Sequence, residues 1–236
     1  MCGRFSLSVS ADEVAELLPD FDIPKEFQPR YNIAPGQPVP TALNFGCKAL
    51  TFTQWGLVPG WAKDPAIGHR MINARAETLH EKPSFKGSFR RKRCLIIADG
   101  FYEWKKQTSS RTKQPVFVHM KNRAPFAFAG LWDEWNDKEG GVLLSSTIIT
   151  VPPNDLVARV HNRMPAILRP SQHAAWLSME EDKPQRLQQL LKPYPAEEME
   201  IYPVSSVVNN PTNDSPECLQ ELKPPQQELP LIGTGT

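Results

Sequence analysis

Cys94-Leu-Ile-Ile-Ala-Asp-Gly-Phe-Tyr-Glu-Trp104 is the stretch on which the fold turns. β-Branched and aromatic residues dominate it, and this predicts a strand over Cys94–Trp104. Seven further runs of the same kind, each bounded by turn residues, predict strands over Pro38–Asn44, Ala49–Trp55, Pro115–Met120, Phe126–Trp132, Leu143–Val151, Pro165–Leu168 and Glu200–Val204. Prolines number 24 of 236 residues and fall between these apolar runs, which favours strands and loops over long helices. Helices are nevertheless expected. Ser10-Ala-Asp-Glu13 fits a capping box, followed by Val14, Leu17 and Leu18 on one face and stopped by Pro19. Short helices are also expected over Ala74–His80, Ser171–Ser178 and Pro184–Leu191, the last with Leu187, Leu190 and Leu191 on one face. The class is therefore α+β: a sheet-rich single domain, barrel-like, with several short helices. One domain spans residues 1–208, and residues 209–236, with five prolines and no periodicity, read as a flexible C-terminal tail.

Composition narrows the function classes. Apolar residues make up 40% and charged residues 22%, soluble globular usage, and no apolar run is long enough to span a bilayer. The opening MCGRFSLSVS lacks the apolar core of a secretory signal, and four cysteines are too few for a disulfide scaffold, so a cytoplasmic location is expected. The cysteines form no CxxC pair and the five histidines no HxxxH or HExxH spacing, so no metal site is expected. A Walker loop and a GxGxxG are missing as well, so no cofactor is expected. The net charge is +1, but residues 1–113 carry 17 basic and 11 acidic residues. The basic excess includes Phe85–Arg93, FKGSFRRKR, which reads either as a phosphate footprint or as a solvated surface.

Cys2 is the unusual residue. Removal of Met1, by an aminopeptidase or by self-processing, would leave a free α-amine beside a thiol, a 1,2-aminothiol. An α-amine of ordinary pKa, about 7.7–8.0, is partly neutral near pH 7. It forms an imine with an aldehyde, and the thiolate can close that imine to a thiazolidine. The plain alternative is a cysteine that merely follows the start codon. Glu103, between Tyr102 and Trp104, is either a desolvated carboxyl whose pKa rises toward general acid work or a strand residue pointing at water. His161, beside Arg163, suits proton shuttling or phosphate binding, or is structural. Trp55 and Trp61 in WGLVPGWAKD are core aromatics, or Trp61 is presented to stack on a base.

The set MCGRF, RYNIAPGQ, WGLVPGWAKD, NARAET, RCLIIADGFYEW, FAFAGLW, STIIT and HNRMPAIL, in order from Met1 to about Val208, closely resembles the SRAP family of SOS-response-associated peptidases, the abasic-site processing proteins. That resemblance implies a protein that binds single-stranded DNA and forms a thiazolidine crosslink between Cys2 and the ring-opened aldehyde of an abasic site. By the same resemblance Cys2 is the nucleophile, Asn73 positions the N-terminal amine and the sugar, and Glu103 shuttles protons. His161 binds the adjoining phosphate and assists proton transfer. Arg4, Arg75, Arg163 and Thr150 hold backbone phosphates, with Asn32 and Pro35 nearby, and Trp61 wedges against the base stack. Many relatives carry a second bulky residue after that tryptophan, where this chain has Ala62. The expected partner is single-stranded DNA containing abasic sites, with no membrane and a monomeric state, associated with the nucleoid when on DNA.

Recognition of a nucleotide without a base must come from phosphates and stacking. The 13 basic against 5 acidic residues between Lys63 and Lys113 would supply the salt-sensitive attraction. Lyase cleavage through the imine and self-reversal are compatible with the same chemistry. Two other classes stay open: a cysteine peptidase using Cys2, His161 and Glu103, acting mainly on its own N-terminus, and a non-catalytic single-strand binding module that is indifferent to the lesion.

Overall fold

The computed structural model describes residues 2–25, 27–46, 48–107, 112–178 and 183–222. In chain order the first half of the described residues contains β1 (Phe5–Leu7), α1 (Ala11–Leu17), β2 (Arg30–Ile33), β3 (Pro38–Leu43), β4 (Leu50–Trp55), β5 (Asn73–Arg75), α2 (Pro83–Arg91), β6 (Arg93–Ala98) and β7 (Gly100–Lys105). The second half contains β8 (Gln114–Met120), β9 (Phe126–Asn136), β10 (Val142–Val151), β11 (Met164–Pro165), β12 (Ile167–Leu168), α3 (Pro170–Leu177), α4 (Pro184–Leu190) and β13 (Met199–Pro203). The α+β, sheet-rich, barrel-like reading holds.

The barrel is visible in the pairing. β10 pairs with β4, β4 with β3, β3 with β6, β6 with β9, and β9 returns to β10. Five strands thus close on themselves and leave no open edge among them. The β4–β10 junction is parallel and the others antiparallel. β5 and β11 lie against β10, and β12 against β9. A second, antiparallel sheet runs in the order β13-β8-β7-β1-β2. Phe5 of β1 carries the core between the sheets, its ring 5.1 Å from Trp55 and 5.7 Å from Phe128.

The stretch Cys94–Trp104, expected as one strand, divides at Asp99 into β6 of the barrel and β7 of the second sheet. The Asp99 carboxylate fixes the crossing by accepting from Ser6 Oγ at 2.5 Å and from the Ser8 amide at 2.7 Å. Gly100 is required next, because a Cβ there would stand 2.0 Å from Cζ of the buried Phe117 ring.

Four other expectations change. Residues 74–80 are not helical: Asn73–Arg75 form β5 against β10, and a short 3-10 turn, Ala76–Thr78, follows. Residues 165–168 form two short strands that pair with different partners, β10 and β9. Most of the basic cluster is α2, which starts at Pro83 and buries Ser88 and Phe89. Finally, the chain beyond Val208 stays packed. Val204 bridges to Glu221, Cys218 is fully buried, and Asp214 accepts from the amides of Tyr31 and Asn32 at 2.6 and 2.9 Å. The tail boundary at residue 209 therefore moves to at least 222, and residues 223–236 lie outside the described residues. α1 has the expected capping box, with the Ser10 amide donating to Glu13 Oε2 at 2.9 Å. Among the described residues no helix is long and apolar enough to cross a membrane.

Candidate functional site

β1 lies antiparallel to β7 with Phe5 opposite Phe101, and the Tyr102 amide donates to the Arg4 carbonyl at 2.9 Å. This register carries the N-terminal residues toward the end of β7 that bears Glu103. Cys2 is fully buried there, with its Sγ 3.9 Å from the Arg4 carbonyl. Asn73, the first residue of β5, is set by its pairing with Ile148 of β10 and donates from Nδ2 to the Cys2 carbonyl at 2.8 Å. Glu103 sits in the middle of the second sheet opposite Val116 and is 3% exposed.

Burial pushes the Glu103 carboxyl above the ordinary carboxylate range, while the nearby His161 pulls it back. Burial also raises the Cys2 thiol far above a free cysteine, and the Glu103 carboxylate adds to that rise. His161 follows the 3-10 turn Val157–Arg159, and its Nδ1 lies 3.0 Å from the Arg163 amide and 3.2 Å from the Arg163 carbonyl, so this residue's backbone orients the ring. Cys2, Asn73, Glu103 and His161, from four separate parts of the chain, are thus brought together through one hydrogen bond and mutual electrostatic influence.

The expected phosphate contacts divide into three groups. Arg75 is exposed on β5, its backbone opposite Thr150 of β10. Arg163 reaches the same edge, where its guanidinium forks onto Glu77 at 2.6 and 2.9 Å and donates to the Thr150 carbonyl at 2.5 Å. Arg4 is half-buried and committed elsewhere: Nη1 donates to Asn32 Oδ1 and to the Val208 carbonyl, both at 2.7 Å, and the guanidinium lies 5.8 Å from the Trp104 ring centre. Pro35 is half-buried in the turn that follows β2. Trp61 is 62% exposed in the loop after β4.

Asn32 and Thr150, expected to touch DNA, are fully buried. The Asn32 amide is spent on the carbonyls of Val208, Asn210 and Asn213 at 3.2, 3.1 and 2.6 Å. Thr150 Oγ1 faces the Ala74 carbonyl at 3.4 Å. Their side chains face neighbouring backbone, Asn32 that of the segment after Val208 and Thr150 that of β5. Arg93, the last residue of the basic cluster, is likewise fully buried.

Sequence reasoning missed Glu77 as the partner of Arg163. The signal was a carboxylate inside NARAET, the segment that supplies both Asn73 and Arg75. It also missed the segment from Ser205 to Leu222, which binds Arg4 and Asn32 through backbone carbonyls that no composition reveals. Among the described residues no group of three or more His, Cys, Asp or Glu side chains is placed to hold a metal ion.

The family model for SOS response associated peptidase (SRAP) matches residues 1–211. Abasic site processing protein YoqW of Bacillus subtilis (strain 168) is 48% identical over 223 residues, covering 93% of this chain and 99% of that protein. Abasic site processing protein HMCES of Xenopus tropicalis is 30% identical over 282 residues, covering 100% of this chain and 83% of the other. A crystal structure of a protein from Bacteroides thetaiotaomicron superposes with a TM-score of 0.84 at 27% identity, covering 94% of this chain and all of that one.

Proposed function

The chain belongs to the SOS response associated peptidase (SRAP) family, and from that premise we propose that it processes abasic sites in single-stranded DNA by covalent capture on Cys2. The lesion comes from the names of its relatives YoqW and HMCES. The observation that carries the chemistry is the Asn73 hydrogen bond to the Cys2 carbonyl beside the buried Glu103 carboxyl.

The ring-opened abasic sugar carries an aldehyde. Once Met1 is removed, the Cys2 amine adds to the carbonyl carbon, and the carbinolamine loses one water to become an imine. The thiolate then adds to the same carbon and closes a five-membered thiazolidine. The C=O bond is replaced by C–N and C–S bonds, and aldehyde plus aminothiol yields adduct plus water. Glu103, whose burial favours the protonated form, donates the proton that the departing oxygen needs and takes one from the thiol. His161 offers Nε2 as a second proton site and binds the adjoining phosphate. Asn73 orients the first residue, which converts a bimolecular encounter into a positioned one.

Arg75 and Arg163 take the backbone phosphate, and Trp61 stacks against the base next to the gap. The intermediate imine also opens a β-elimination route, which would give lyase cleavage, and the reverse sequence releases the strand. Removal of Met1 by the same centre would be the peptidase component. The protein acts on this reading as a cytoplasmic monomer.

The test is adduct formation with an oligonucleotide carrying one abasic site, read on denaturing gels. Cys2→Ser and a form that retains Met1 should both give no heat-stable adduct. A normal yield from either variant contradicts the mechanism.

A further inference from the structure

A second group of cations lies beside the proposed site and belongs to none of the residues already given a role. Lys105, Lys106 and Arg159 line a cleft of about 550 Å³ together with Gln114, Val116 and Tyr202. All three cations are exposed, and none has a carboxylate within ion-pair distance among the described residues. No acidic residue lines the cleft. Unpaired cations gathered around a concavity produce a positive field with no local compensation, the arrangement that attracts a polyanion.

The fold ties this cleft to the reaction centre in two ways. Successive side chains alternate across a strand, so Lys105 shares a face of β7 with Glu103. The register puts Gln114 opposite Lys105 and Val116 opposite Glu103, with Pro203 of β13 opposite Val116 in turn, so one continuous sheet face runs from the buried carboxyl into the cleft. The other wall is Arg159 and Val160, immediately before His161. The cleft is therefore lined by the register partner of Glu103 on one side and by the residues next to His161 on the other. Arg75 and Arg163 lie on a different set of elements, the β5–β10–β11 edge.

We propose that this cleft is a backbone subsite that takes the phosphates of one flank of the captured single strand, the flank not held by Arg75 and Arg163. The inference rests on the DNA reading of the preceding subsection. Its ligand is the sugar–phosphate backbone, recognised by charge and not by base identity. Gln114 is already engaged, donating to the Val204 carbonyl at 2.9 Å, and shapes the floor of the cleft.

The test separates binding from capture. Fluorescent oligonucleotides carrying a tetrahydrofuran abasic mimic, which has no aldehyde, are titrated by anisotropy across a salt series. One carries the mimic centrally, one near its 5′ end and one near its 3′ end. The triple variant Lys105→Gln/Lys106→Gln/Arg159→Gln changes only exposed side chains. On the central oligonucleotide and on one of the end-placed ones it should bind about tenfold more weakly, with the slope of log K against log[salt] reduced by about 2, as expected for three lost phosphate contacts on a single strand. On the other end-placed oligonucleotide it should match the unsubstituted protein. Adduct yield at saturating DNA with a true abasic site should be unchanged.

Equal weakening on both end-placed oligonucleotides would overturn the subsite in favour of diffuse attraction, and unaltered binding on all three would remove the cleft from the DNA path. A protein that binds with the predicted flank dependence but forms no adduct would instead refute the capture chemistry and leave the subsite standing.

Discussion

Replacing Arg93 with methionine tests how the basic cluster of the sequence is divided between fold and surface. The guanidinium is fully buried and gathers the C-terminal ends of two helices. Nη1 donates to the carbonyls of Phe89 and Arg90 in the last turn of α2, at 3.0 and 2.5 Å. Nε donates to the Trp176 carbonyl in the last turn of α3 at 2.7 Å, and Nη2 reaches the Ser178 carbonyl. A cation in this position satisfies terminal carbonyls and opposes the negative ends of both helix dipoles. Methionine has similar length but no donor. The bonds to Phe89 and Trp176 are buried, and a buried acceptor left without its donor costs ~1–3 kcal/mol. Two of them, with part of the loss regained by apolar packing, amount to about 4 kcal/mol. For a domain of this size that is roughly 8–16 °C in Tm. The assay is urea and thermal unfolding, with Lys86→Gln/Arg90→Gln on the exposed side of α2 as the comparison, expected to shift stability by less than about 0.5 kcal/mol. An Arg93→Met protein as stable as the unsubstituted one would refute the reasoning that this residue is a structural clamp.

Glu103→Gln should stabilise the protein at neutral and alkaline pH. The folded-state pKa of Glu103 is raised by burial, so the stability linked to its proton is fully present below the ordinary carboxyl pKa and is lost as pH rises through the folded value. The advantage of glutamine should therefore grow by about 1.4 kcal/mol per pH unit across that window and then level off, which urea unfolding at a series of pH values reads directly; parallel stability profiles would contradict it. Glu77→Gln releases the fork of Arg163 and should tighten binding to single-stranded DNA severalfold in anisotropy titrations. The same change should cost no more than ~1 kcal/mol of stability, because Glu77 is half-exposed. Its pKa is lowered by Arg163, so this small contribution is present above the ordinary carboxyl pKa and vanishes as pH falls through the folded value. Asp214→Ala leaves two backbone amides and Arg30 without their acceptor and should lower stability by about 2–3 kcal/mol in urea unfolding; an unchanged midpoint would mean that the segment beyond Val208 adds nothing to the domain.

The barrel was legible because its strands are β-branched and aromatic runs, and such composition survives reading without tertiary context. The break at Asp99 was not, since the change of sheet depends on Ser6, Ser8 and the Phe117 ring, all remote in sequence from the stretch they divide. β1 and β2 are short and partly polar and give no periodic signal. In NARAET, alanine and glutamate favour a helix, and pairing with β10 overrides that preference. α2 hides its apolar pair, Phe85 and Phe89, among charges.

The candidate site was legible only as motifs. Cys2 and Asn73, 71 positions apart, meet although β1 belongs to the second sheet and β5 pairs with β10 of the barrel. The motifs carry no information on burial, so Asn32 and Thr150 read as ligand contacts, and Arg93 as part of a phosphate footprint or a solvated surface, although their side chains lie inside. The proline-rich composition after Val208 likewise concealed Asp214 and Cys218, which fasten that segment to β2 and the second sheet.

The most direct test of the account is intact mass spectrometry of the protein, with Met1 removed, after incubation with a single-stranded oligonucleotide bearing one abasic site, followed by proteolytic mapping. A species equal to protein plus oligonucleotide less one water, stable to heat and carried by the peptide that begins at Cys2 with both amine and thiol blocked, is the predicted result. An adduct mapped to any other residue, or none from protein shown to begin at Cys2, would contradict capture by the N-terminal cysteine.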